Sequence, residues 1–169
     1  VAAAGNINTY SQGLIELSGT SVAAPAVAGA AAVLLQVNPG LTPPLVKAIL
    51  QYTAQPMAGY SLVEQGAGHL NLEGAIRMAQ ALRTDLQSAS AAGTLVAGSS
   101  GMLASGKTLP TTRSSTVAGT TFNWSRIVTV GGSHVATGDK LFTTWQPVWD
   151  PRLAWASNFA MWTQPTFWS

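Results

Sequence analysis

Residues 22–35 carry no charged side chain and no amide, only Val, Ala, Leu, Gly and one Pro. A run this long exceeds an ordinary strand and predicts a helix. Its valines and leucines (Val22, Val27, Val33, Leu34 and Leu35) fall on every face, and a helix without a polar side is expected to be buried. Gly29 and the alanines allow close backbone approach at some loss of helix propensity. At 14 residues the run is shorter than the roughly 20 needed to cross a bilayer, so it reads as a core helix and no membrane span is expected. Ahead of it, Ser18, Gly19 and Thr20 form a small-residue turn that delivers Ser21 to the first helical turn, with Pro25 early enough to be tolerated. Amide groups there lack intrahelical acceptors and favour negative charge.

A fixed hydroxyl beside preorganised N–H donors suits acyl transfer, because the attacked carbonyl oxygen becomes an anion. The plain alternative is a helix-packing motif in which Ser21 is only a cap. Gly19-Thr20-Ser21-Val22-Ala23-Ala24-Pro25, followed by Val27-Ala28-Gly29, resembles the nucleophile signature of subtilisin-like serine peptidases. The resemblance implies that Ser21 attacks a peptide carbonyl, with an Asp and a His completing the triad. It also implies that the Ser21 N–H serves as an oxyanion donor while Gly19 and Thr20 shape the turn. Ala26 stands where many members have His, a residue that is not the triad base.

Charged residues are 8% of the 169, against about 25% in an average soluble protein. The eight basic residues are scattered from Lys47 to Arg152, which argues against a nucleic-acid partner. Without cysteine there is neither a disulfide nor a thiolate metal site. No metal or other cofactor is expected, since His69 and His134 have no ligand spacing around them.

Along the chain, residues 1–16 read as a loop, with a short strand over 13–17 leading into the serine turn and Glu16 as a solvated residue. Asn38-Pro39-Gly40 stops the central helix. Thr42 and Pro43 open a second helix as N-cap and N1, with Leu45, Val46, Ile49 and Leu50 as its apolar stripe. Residues 55–70 read as irregular. Asn71 caps a third helix that packs Leu72, Ala75, Ile76, Ala79 and Leu82 and exposes Arg77, Arg83 and Asp85. Gln65-Gly66-Ala67-Gly68, then Asn71, is similar to the end of a subtilisin-like domain, where a Gly-Ala-Gly strand precedes the last helix.

From Ser88 the composition turns to Ser, Thr, Gly and Ala, and residues 88–121 read as a linker or loose β segment. Residues 126–130 read as a strand. Trp145, Trp149, Trp155, Trp162 and Trp168 then recur at spacings of 4, 6, 7 and 6. Short strands each giving an aromatic to a common layer would explain them. The whole is expected to be α/β: 1–87 the C-terminal part of a subtilisin-like fold (a buried nucleophile helix plus two further helices), 88–121 a linker, and 122–169 a β-rich or irregular Trp-rich extension, similar to those on some secreted peptidases.

The family runs Asp, His, Ser along the chain, yet the twenty residues before Ser21 contain neither Asp nor His. His69 and His134 follow it and are expected in surface or turn positions. The resemblance therefore implies a serine endopeptidase acting on protein or peptide, extracellular or at the cell surface, whose Asp and His lie in an upstream part of the same domain. This chain alone is expected to be inactive, and no substrate-binding residue is assigned. The other reading is a non-catalytic remnant that supports a Trp-rich binding or attachment module.

Overall fold

A computed structural model describes residues 19–130 and 134–152, with the backbone alone at His134. The expected strand at 13–17, Glu16, Trp155, Trp162 and Trp168 lie outside the described residues.

Helix α1 (Thr20–Val37) is followed by α2 (Pro43–Thr53), the four-residue α3 (Leu62–Gln65), α4 (Leu72–Ala81) and α5 (Leu86–Ala91). Two antiparallel hairpins come next, β1 (Ser114–Val117) with β2 (Thr120–Asn123) and β3 (Ile127–Val130) with β4 (His134–Thr137). A short α6 (Lys140–Thr143) and a 3-10 turn (Pro147–Trp149) complete the mixed α/β arrangement. Expectation and structure agree on α1, α2, α4 and β3.

Helix α2 is the hub. It packs against α4 on one side and against β3 and the 3-10 turn on another. Pro43 and Pro44 start it, their missing N–H groups being orphans there in any case. Leu45, Val46, Ala48, Ile49 and Tyr52 are buried along its stripe. Thr42 is the N-cap residue, but its hydroxyl caps nothing; it donates instead to the Trp149 carbonyl at 2.7 Å. Asn71 does cap α4, accepting from the Gly74 N–H at 3.2 Å. On α4 the buried set is Gly74, Ala75, Met78, Ala79 and Ala81, with Leu82 just beyond its end, while Leu72 and Ile76 are half-buried. Arg77 and Arg83, expected in solvent, are also half-buried because both reach back to carbonyls of the later chain.

The expectation of a buried nucleophile helix is corrected. Only Ala30 and Leu34 of α1 are buried, and Val22, Val27 and Leu35 are exposed. The helix rests on α4 and α2 near its C-terminal end, and among the described residues nothing covers its other faces. Between α1 and α2 runs an open apolar groove of about 430 Å³, lined by Val27, Ala31, Val46, Leu50 and Leu70 among others. With 18 residues and a mean hydropathy of 1.7, α1 is long and apolar enough to cross a membrane by length and composition alone. Core helices pass the same test, and its foot is packed into this core.

The Trp pattern needs a second correction. Trp145 and Trp149 are buried, but they come from a connection and a 3-10 turn rather than from strands. They join Trp124, Phe142 and Tyr52: Phe142 stacks on Trp149 with centroids 6.0 Å apart and meets Tyr52 edge-on at 4.9 Å. Residues on both sides of position 88 share this one core, and Met102, Leu109 and Val128 lie in it beside Leu45 and Met78.

Candidate active site

The turn before α1 is set by Gly19, with φ 141° and ψ 169°, a region open to glycine alone among the common residues. Its carbonyl accepts from the N–H groups of Val22 at 3.0 Å and Ala23 at 3.2 Å, which closes the first turn. Thr20 and Ser21 occupy that turn, and Ser21 is exposed. An α-helical partner for the Ser21 N–H would be the Leu17 carbonyl, outside the described residues. Four residues on, Pro25 has no N–H to give, so the Ser21 carbonyl loses its ordinary intrahelical donor.

No acidic residue lies in the first turn of α1 and no basic one in the last. Nothing within the helix offsets the partial positive charge at its start. The site is thus a hydroxyl and an amide at the positive end of an apolar helix.

The other end of α1 is tied down by a residue whose role the sequence hid. Asn38, read only as part of a stop signal, is buried. Its amide donates to the carbonyls of Ala79 at 2.8 Å and Leu82 at 3.1 Å, and its Oδ1 accepts from the Gly40 N–H at 3.0 Å. No local signal marks this role, because its carbonyl partners lie 41 and 44 residues further along the chain.

No base is brought to Ser21 among the described residues. His69 is exposed, and its backbone pairs with Gln55 in an isolated antiparallel bridge at the Gly-Ala-Gly segment. No described hydrogen bond joins its ring to Ser21. The side chain of His134, at the start of β4, lies outside the described residues. Among the described residues no cluster of His, Cys, Asp and Glu could hold a metal ion.

Two ion pairs lie in the later chain. Arg152 donates to both carboxylate oxygens of the mostly buried Asp150, and this bonding holds the carboxyl below its usual range against the opposing effect of burial. Burial pushes the Asp139 carboxyl up, but hydrogen bonds from Arg113 at 2.8 Å and Tyr52 at 3.0 Å outweigh it and leave it lowered.

An exposed serine thus stands in a Gly-Thr-Ser turn at the head of an uncharged helix. The subtilase family model, peptidase S8, matches residues 1–90, more than half of the chain, and the chain belongs to the subtilase family. At the level of family this makes it a serine peptidase. No curated protein and no solved structure matches it.

Proposed function

We propose that this chain carries the nucleophile of a serine endopeptidase, with Ser21 forming the acyl-enzyme. The observation that carries the reading is Ser21 itself: exposed in the first turn of α1, behind a Gly19 whose backbone only glycine adopts readily, within the family-matched residues. Ser21 Oγ bonds to the peptide carbonyl carbon while its proton passes to a base, and the carbonyl oxygen gains charge against the Ser21 N–H. The C–N bond then breaks, the amine leaves with that proton, and water releases the acyl group.

The base and its orienting Asp belong to a part of the peptidase domain ahead of these residues, and the 169 residues alone do not turn over. The apolar, uncharged outer face of α1 supports this, because it is built to be covered by protein. Its substrates are proteins or peptides met outside the cell or at its surface.

The test is turnover of a fluorogenic peptide by the purified chain and by the complete gene product, each beside its Ser21→Ala variant. Loss of several orders of magnitude in kcat is expected in the complete product, with no Ser21-dependent turnover by the chain alone. Equal activity of the complete product and its variant would leave a non-catalytic remnant as the reading.

A further inference from the structure

We infer that residues 94–130 and 134–150, which lie beyond the family-matched 1–90, form an internal strap that caps α2 and α4 and completes their fold. The inference stands on hydrogen bonds and packing, and it holds whether or not Ser21 attacks.

The last carbonyls of a helix have no intrahelical donors and must find others when buried. At the end of α2, the Tyr52 carbonyl accepts from the Arg126 N–H at 2.9 Å and the Ala54 carbonyl from the Ser125 N–H at 2.8 Å. At the end of α4, the Ala81 carbonyl accepts from the Ala104 N–H at 2.9 Å. Two residues further, the Arg83 N–H donates to the Met102 carbonyl at 2.9 Å. The later chain therefore supplies backbone partners at both helix ends.

A socket at the start of α4 receives the strap's side chains. Trp124 lies against Gly74, where an added Cβ would stand 2.8 Å from the indole ring. Its Nε1 donates to Ser115 Oγ at 2.8 Å, which also accepts from Asn71 Nδ2 at 3.0 Å and donates to Glu73. Arg77 lies over the Trp124 ring, 5.1 Å from its centroid, and donates to the Ser114 carbonyl at 2.9 Å. At the far end, the Thr42 hydroxyl holds the Trp149 carbonyl in a buried bond. Socket residues Asn71, Glu73, Gly74 and Arg77 all fall inside the family-matched part, while Ser115 and Trp124 fall outside it.

The strap bears on α1 through α4. Asn38 is bound to the carbonyls of Ala79 and Leu82, in the same stretch that Met102 and Ala104 hold from the other side. The foot of α1 is thus braced through α4.

Hydrogen exchange of the full chain, followed by mass spectrometry at low protein concentration over a denaturant series, tests this. Peptides from α2, from α4 and from 120–130 are expected to lose protection together, in one opening with one denaturant dependence. Gly74→Ala is expected to speed exchange in all three by about tenfold or more, as one cooperative unit would require. If that variant fails to fold, the wild-type series decides alone. Strap peptides that open at lower denaturant while α2 and α4 stay protected would overturn the inference. So would a chain ended after Gly93 whose α2 and α4 keep full protection.

Discussion

Single positions in this chain are constrained more by backbone geometry than by chemistry. The turn of the first hairpin places Ala118 at φ 49° and Gly119 at φ 81°, two left-handed residues in a row, the geometry of a two-residue primed turn. Asparagine enters that region more readily than alanine. Ala118→Asn is therefore expected to stabilise the fold by about 0.5 kcal/mol, read as a higher urea midpoint at unchanged slope. A lower midpoint would show that the turn relaxes differently. Gly19, by contrast, was legible: a glycine before Thr-Ser at the head of a helix is what such a turn needs. Asn38 and Thr42 were visible only as a stop and a cap. Their actual partners, Ala79, Leu82 and Trp149, lie 41 to 107 residues away, and no local pattern encodes so distant a contact.

Among the elements, α2 and α4 were the readable part, through the Leu45–Ile49 stripe and the Asn71 cap, whereas α3 and α5 fall in stretches that read as irregular and as linker. The connections after α4 were not. Residues 95–110 place Met102 and Leu109 in the core, with backbone bonds from Ala104 to Ala81 and from Arg83 to Met102 at the end of α4, and bonding of that kind leaves no periodicity in the side chains. Helix α1 shows the opposite failure. Its all-round apolar pattern reads as burial, yet Val27 is 45% and Leu35 43% exposed. A pattern tells that a face is built for covering without telling what covers it. The purified chain is accordingly expected to bind a hydrophobic dye and to scatter light as its concentration rises. Val27→Lys should reduce both with little change in melting temperature, because the side chain it replaces touches solvent. Dye binding unchanged by Val27→Lys would place the sticky surface elsewhere.

For the whole molecule, the ion pairs decide how stability responds to acid. Asp139 and Asp150 both have folded values below the ordinary carboxylate range. Their contribution is complete above the unfolded value and is lost as pH falls through the folded one. Stability should therefore decline below about pH 4, the unperturbed carboxylate value. Asp150→Asn should flatten part of that decline while costing about 1 kcal/mol at neutral pH, the sum being small because Arg152 is largely solvated. Urea melts at pH 7 and pH 3 measure both, and an undiminished acid slope in the variant would move the effect to other carboxylates. The lowered Asp139 ties α2 to the loop before α6, so the same acid range loosens the strap at Tyr52.

Among the described residues, α1 is held toward its C-terminal end alone. From its clamped root at Ala30 the rod runs out about 13 Å to Ser21, taking 1.5 Å per residue. A tilt of about 5° at the root swings the tip through about 1 Å, a displacement of the size that costs an enzyme roughly a hundredfold in rate. Under the proposed function, substitutions at Asn38 or Ala30, remote from the hydroxyl, therefore belong among those expected to shift its position.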